Sequence, residues 1–509
     1  MIDQFDQNER HQFVGGWLHL VRFQSTDERK AWIGAETPTS LSMQTAFPCE
    51  KSRIEICVGF PYCTAGLIGI ALFVAVGWAF YVSPVHYLMD GSYSLLMDEA
   101  LIHEWTPDMM HFQVPRRHGA SSVNDGYPWS IRIIKGRLLY VYPWGSPLLS
   151  LPAVALFNAD GFKIAPHRTN YKYDWYHELR MQVLISTGLC ALTVWLVFVA
   201  AGHYMPITWS VAVALAAAFG TAIWSTASRS LWPQTWAVLL IMIAVWILLS
   251  GPIRPFLLGT VLAWSCLARP TVIPEVAIIT TYLLFSGKHR LLPHYIAGGL
   301  GSAVPVCAMM HFYTGGLFSA YYSVGMLDFP HDFLERLYGV LFSPSRGLFI
   351  FSPVTLVALY LIVRYWKHCS SRGLAVLALT IIGLHLTIVS SWVEWWGGPS
   401  YGPRLQLELV PWFVLLAILG IRSFLEIDGL NRRRRLMTTS AAVLAVLLSI
   451  ITNAPGALAH NALGWRSYDS GDIQALWDWH DPQFLCWLPQ YRVEKIRNQL
   501  PTRNSALNR

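Results

Sequence analysis

Four long stretches of the chain hold no Asp, Glu, Lys or Arg: Ile56 to Met89, Met181 to Ser228, Ser230 to Pro252 and Leu436 to Trp465. Each has room for the roughly 20 apolar residues that cross a bilayer core as a helix. In hydrocarbon the backbone must satisfy its own hydrogen bonds, and a helix does so within one segment. Helices in the core of a soluble protein are usually shorter and keep a charged outer face, which these stretches lack. Only 13% of the 509 residues are charged, about half the share of a soluble domain. The expectation is an all-α polytopic membrane protein.

Apolar runs predict eleven spanning helices, near 60–82, 181–202, 206–224, 232–250, 254–268, 271–286, 293–313, 348–366, 373–392, 404–424 and 435–453. The first run starts too late and is too long for a cleavable leader, so it is expected to stay as the first span. Three regions result: a polar lead, 1–55; a transmembrane domain, 56–455; and a tail, 456–509. Within the lead, Trp17 to Phe23 reads as a loosely ordered extension rather than a membrane-surface helix.

Basic residues set the orientation. Alternate connections carry Arg254; Lys288 and Arg290; Arg364, Lys367 and Arg372; and Arg432 to Arg435. The positive-inside rule puts these, and the N-terminus, in the cytoplasm. The net charge of +7 therefore reads as a topology signal and not as nucleic-acid binding. The eight cysteines form no CxxC pair and no metal-ligand spacing, and most lie in or beside apolar runs, where cysteine behaves as a small hydrophobe. The outward connections are longer, above all 83–180, and hold most of the unusual polar and aromatic residues. The working surface is expected there.

The outer loop opens with Asp90-Gly91-Ser92-Tyr93, directly after the first span. From Ser92 the pattern reads as an amphipathic helix lying in the membrane interface, with Asp98 and Glu99 on its solvated side. A carboxylate at Asp90 sits at the level of lipid headgroups, a suitable depth for a general base acting on a lipid-linked substrate; a helix cap is the plainer reading. Tyr142 lies in Tyr140-Val141-Tyr142-Pro143-Trp144-Gly145, which leads into an apolar stretch, 147–157, too short to span. Arg269, Arg346 and Arg404 fall at outer helix ends, and Arg229 lies in the outer turn 225–234. Arginine forks bind phosphate oxygens in bidentate fashion, whereas snorkelling to headgroups is the plainer reading. Glu394, Trp395, Trp396 and Tyr401 fill the loop before Arg404. Their rings suit stacking on sugars or an interfacial belt.

The layout resembles the GT-C superfamily of membrane glycosyltransferases, and most closely its protein O-mannosyltransferase branch. The resemblance rests on Asp90 in DGSYSLLMDEAL and on the segments YPWGSPLLSLP, FSPSRGLFIFSP and WWGGPSYGPR, and runs from about residue 60 to 455. It implies a GT-C-like bundle with a large outer loop after the first helix, in a plasma membrane of bacterial type, with the site on the periplasmic face. It implies a polyprenyl-phosphate sugar donor, a glycan, lipid or protein acceptor, and inverting single displacement with Asp90 as base. The implied donor and substrate contacts are Arg404, Arg346, Arg269, Arg229, Tyr93, Tyr142, Glu394, Trp395, Trp396 and Tyr401. Many relatives carry two adjacent acids where this chain has Asp90-Gly91, so a divalent metal stays open as an alternative to a metal-free site. A lipid or polysaccharide transporter and a non-catalytic scaffold are the rival readings. A transporter is expected to carry charged or broken helices at mid-membrane.

Overall fold

The computed structural model describes residues 62–116, 126–166, 170–319, 321, 331–427, 429–463, 465 and 473–488, all within the compact unit Val58–Arg509. The lead 1–55, with its Trp17–Phe23 stretch, and the tail end 489–509 lie outside the described residues.

All eleven predicted segments are helical. In chain order the elements are α1 (Tyr62–Val82), α2 (Ser94–Glu104), the strands β1 (Ile131–Ile134) and β2 (Arg137–Tyr140), α3 (Gly145–Ala159), α4 (Trp175–Gly202), α5 (Ile207–Phe219), α6 (Pro233–Leu249), α7 (Pro255–Ala268), α8 (Ile273–Phe285), α9 (Leu292–Thr314), α10 (Phe333–Phe342), α11 (Leu348–Phe351), α12 (Val354–Arg364), α13 (Arg372–Ser390), α14 (Val410–Leu425) and α15 (Arg432–Leu458). Six helical segments are long and apolar enough to cross a membrane: Thr64–Val82, Trp175–Gly202, His289–Thr314, Arg372–Ser390, Arg404–Leu425 and Arg432–Leu458. The architecture fits an all-α membrane protein. Leu67, Ile70, Val74 and Trp78 on α1, and Leu444, Leu447 and Ile451 on α15, point away from the bundle and are exposed. Apolar area of that extent is what lipid contact requires and what water does not tolerate.

Several helices start or break where local chemistry dictates. The Asp174 side chain accepts from the N–H groups of Tyr176 and His177, an N-cap that starts α4 six residues before the predicted 181. Pro353 separates α11 from α12, where one helix over 348–366 is expected; proline lacks the N–H and crowds the preceding turn. A π-helical turn, Ile223–Ala227, follows α5, and a 3-10 turn, Arg404–Leu409, precedes α14. Helix α6 is buried on every side, with Val238, Ile241, Met242 and Val245 in the main core cluster.

The outer loop folds into a second cluster of its own around Leu95, Leu96, Met97, Tyr140 and Trp144. It includes a hairpin that is not foreseen in the sequence: β1 pairs antiparallel with β2 through Ile131↔Tyr140 and Ile134↔Arg137. Its two-residue turn, Lys135-Gly136, has φ of 50° and 75°, the left-handed pair that a tight hairpin needs. The interfacial reading of α2 is corrected here. Asp98 and Glu99 are buried, at 0% and 1% exposure, because α2 packs among α3, the hairpin and α4 rather than on a membrane surface. Glu99 accepts from the backbone N–H groups of Ile164 (2.5 Å) and Ala165 (3.0 Å). Tail residues 473–488 pack back onto the same end of the bundle, Gln483 being fully buried among the loops.

Connections predicted to share a side do meet. At one end, Val85 N–H donates to Ala457 O and Arg229 to the carbonyls of Phe80, Ser83 and Val85. At the other, the Tyr204 hydroxyl donates to Leu249 O, and the Arg422 guanidinium lies over the Tyr204 ring.

Candidate active site

After α1 the chain turns back across the end of the bundle, and α4 holds it there. The Glu178 carboxylate, in the first turn of α4, accepts from the backbone N–H groups of Tyr93 (3.0 Å) and Leu95 (3.2 Å) and from the Tyr173 hydroxyl. Gln182, one turn on, donates to Gly91 O at 2.7 Å. Tyr93 sits at φ 68°, an uncommon conformation for an aromatic residue, and its ring stacks on Tyr173 with centroids 4.5 Å apart. Gly91 lies so close to the next loop that a Cβ would stand 2.5 Å from Leu231 O, so no larger residue fits. The Tyr140 hydroxyl donates to Asp90 O at 2.5 Å.

This seating aims the Asp90 carboxylate at Arg404. The Nη1 to Oδ2 distance is 2.7 Å, and each side chain is about a tenth exposed (9% for Arg404, 11% for Asp90). Arg404 opens the 3-10 turn 404–409 after Gly402, whose φ is 57° and whose Cβ would meet Phe351 at 2.9 Å. The guanidinium lies over the buried Trp232 ring, 4.1 Å from its centroid, so the ring face supports the charge without using its hydrogen-bonding edge. Asp90 takes Nη1, while Nε has no hydrogen-bond partner. Glu408, on the same turn, takes Arg269 Nε at 3.0 Å, and its Oε2 is unpartnered. Two arginine–carboxylate pairs thus share one turn.

Two phenols lie within electrostatic reach of the Asp90–Arg404 pair. The Tyr142 and Tyr321 rings are 4.6 Å apart, and Tyr142 also meets Trp129 edge-on at 5.5 Å. Burial, and then the charge of Asp90, push both hydroxyls above their ordinary range. Both are neutral donors near pH 7. An apolar cavity of about 400 Å³ runs between α7, α8 and α9. Its walls include Ala263, Val276, Leu300 and Ala303, and it reaches Pro143 and Pro270, which adjoin Tyr142 and Arg269.

Asp90, Arg404, Arg269 and Tyr142 therefore come together as site residues. Glu394 is exposed on the 391–403 loop, and its charge bears on Tyr321. Other candidates are corrected. Arg229 is fully buried and holds the end of α1: Nε and Nη2 bond Ser228 Oγ, Nη1 bonds the carbonyls of Ser83 and Val85, and Nη2 bonds Phe80 O. Arg346 joins three loops through Trp396 O (2.8 Å), Ser345 O (2.7 Å), Gln483 Oε1 (2.5 Å) and Gly398 O (3.4 Å). Neither offers a fork to a phosphate. Trp395 is core, packed with Val340, Val389, Leu405 and Leu476. Tyr401 is fully buried, and its hydroxyl donates to Thr452 O at 2.6 Å. Trp396 is half-buried and serves here through its carbonyl. Tyr93 shapes the turn, with its ring buried against Tyr173. Among the described residues, no three His, Cys, Asp or Glu side chains converge as metal ligands.

Trp232, Tyr321, Glu178 and Glu408 are parts of the site that sequence reasoning does not single out. Glu178 and Gln182, spaced i, i+4 at the head of an apolar helix, are a usable signal for a polar anchor. No protein-family model, curated protein or solved structure matches the chain.

Proposed function

We propose that the chain is a membrane glycosyltransferase of the GT-C type it resembles. It transfers a sugar from a polyprenyl phosphate to a hydroxyl of a glycan, lipid or protein on the extracytoplasmic face. Eleven spans, the six long helices with α5, α6, α7, α8 and α12, hold the site at that face of a bacterial-type plasma membrane. The observation that carries this reading is the Asp90–Arg404 pair: a buried carboxylate and a guanidinium whose Nε is buried without a hydrogen-bond partner, near an apolar groove that reaches the neighbours of Tyr142 and Arg269. A base and a phosphate-binding cation are the two charges the reaction needs, and the groove takes the lipid chain.

Asp90 Oδ takes the proton of the acceptor hydroxyl as that oxygen attacks the anomeric carbon. The bond from that carbon to the phosphate oxygen breaks, and the oxygen leaves with the electron pair. Arg404 meets the charge that develops on the phosphate, with Arg269 beyond it; stabilisation of charge at this point is usually the largest catalytic contribution. The Tyr142 and Tyr321 hydroxyls supply hydrogen bonds to a sugar. One carboxylate suffices, because the lipid phosphate leaves directly and no glycosyl-enzyme is required. The buried ionisable residues Glu275, His385 and Glu408 gather near the end that holds Arg269, since Glu275 lies in the first turn of α8 and His385 bonds Leu405 O. A mid-membrane transport pathway has its charges elsewhere.

The test is sugar transfer from a panel of radiolabelled polyprenyl-phosphate sugars by purified protein, wild type beside Asp90→Asn. Transfer with at least one donor is expected, and Asp90→Asn should lower it by roughly a hundredfold. No transfer with any donor, or a folded Asp90→Asn protein of near-normal turnover, would remove the assignment.

A further inference from the structure

Helix α15 is fastened at one end only. Its buried residues are Ser449, Asn453, Pro455, Gly456 and Ala457, all in its second half. There Asn453 Oδ1 accepts from Ser225 Oγ at 2.6 Å and its Nδ2 donates to Phe351 O at 2.7 Å. The first half, from Arg432 to Leu448, buries no residue. It stands off from the bundle and leaves an apolar cavity of about 500 Å³ against α5, α12 and α14, a size typical of small-molecule sites, roughly 300–1,000 Å³. Trp209, Ala358, Phe413, Ala417 and Ala442 are among its walls.

The end of this cavity is marked by charge. Thr438 and Thr439 line it, and they follow Arg434 and Arg435 by one helical turn, on the same face. Arg435 Nη2 donates to Ile427 O at 2.7 Å. Arg422 follows the lining residue Ile421, and Arg364 lies one turn after the lining residue Leu361. Among the described residues the acid at this end is Glu426, and Arg422 already pairs with it at 2.7 Å.

We infer that the wedge behind α15 is a binding site for one anionic diacyl phospholipid of the leaflet that faces the arginine run. Its acyl chains fill the cavity, and its phosphate lies beside Arg434 and Arg435. An apolar slot alone accepts any lipid, but an apolar slot that ends in an excess of arginines over the one described carboxylate selects an anionic one, since juxtamembrane basic residues attract anionic headgroups. The inference rests on the membrane orientation proposed above and not on the glycosyl transfer.

Native mass spectrometry of the full-length chain in mixed micelles of phosphatidylglycerol and phosphatidylcholine tests it. The wild type should retain one phosphatidylglycerol in preference to phosphatidylcholine. Arg434→Gln and Arg435→Gln should each weaken retention about fivefold. Ala442→Trp fills the slot without touching a charge and should abolish retention; Ala417→Phe, on the opposite wall, repeats that test on a second helix. Equal retention of the two lipids by the wild type would overturn the proposal, leaving a gap filled by bulk lipid. Undiminished phosphatidylglycerol binding by folded Ala442→Trp and Ala417→Phe chains would overturn it too, leaving surface attraction only.

Discussion

Single residues divide into those that hold loops and those proposed to meet a substrate, and Arg346 and Arg404 illustrate the two classes. Arg404 rests on Trp232 and keeps Nε unpartnered. Arg404→Lys retains a counter-charge for Asp90 but loses the planar fork. It should fold normally and lose on the order of ten- to a hundredfold in turnover at low donor concentration. Arg346→Ala should instead lower stability by about 1–3 kcal/mol, because it leaves buried carbonyls without their donor. Donor titrations beside thermal unfolding distinguish the two outcomes, and the assignments fail if the patterns are exchanged. Asp98 gives a prediction of the opposite kind. Burial, with Glu178 and Glu99 beside it, holds its carboxyl well above the ordinary 3.8, and neither oxygen has a hydrogen-bond partner. Below about pH 4 the folded and unfolded chains both carry this proton and it costs no stability. As pH rises the unfolded chain releases it first, so stability falls until the folded carboxyl ionises as well. Asp98→Asn should make the decline between pH 4.5 and 8 shallower, measured by thermal unfolding, the remainder coming from the neighbouring buried carboxyls of Glu178 and Glu99. An equal decline in wild type and variant would refute the buried neutral acid.

Elements show why some of the site was legible in the sequence and some was not. Hydropathy reports depth: Asp90 follows a charge-free run, and Arg404 and Glu408 precede the apolar run from Leu409 to Ile421, so hydropathy alone assigns them to a membrane boundary. Hydropathy does not report position around the bundle. The pairing of Asp90 with Arg404, of Arg269 with Glu408 and of Arg404 with Trp232 depends on how helices pack, and local pattern carries no trace of it. The same limit explains α2, whose polar face looks solvated until the hairpin and α3 cover it, and Arg229 and Arg346, whose loops look like binding loops but close on themselves. Gln483 is the least expected anchor. It accepts from Arg346 Nη1 and Gly402 N–H, and donates to Ser400 O and Ala462 O. Gln483→Ala should cost about 1–3 kcal/mol and lower turnover through the 396–404 loop, without changing the pH at which activity is half-maximal. A variant as stable as wild type would show that residues 473–488 are not built into this end.

The described residues form a helical bundle with the Asp90–Arg404 and Arg269–Glu408 pairs at one end. Eleven spans with a cytoplasmic N-terminus place residue 396 and residue 433 on opposite sides of the membrane. Single cysteines at these positions, in a background with native cysteines replaced, should react with an impermeant thiol reagent from opposite faces. Labelling from the same face would break the topology and, with it, the leaflet assigned to the arginine run. The site itself has an unusual history during synthesis. Asp90 and its partner are 314 positions apart, so the acid emerges from the ribosome and reaches the boundary long before Arg404 exists. A chain that ends before residue 404 contains Asp90 but neither the guanidinium opposite it nor Glu408 to engage Arg269. Under the proposed function a chain that ends before residue 404 is inert, because Arg404 and Glu408 both lie in the last quarter of the sequence.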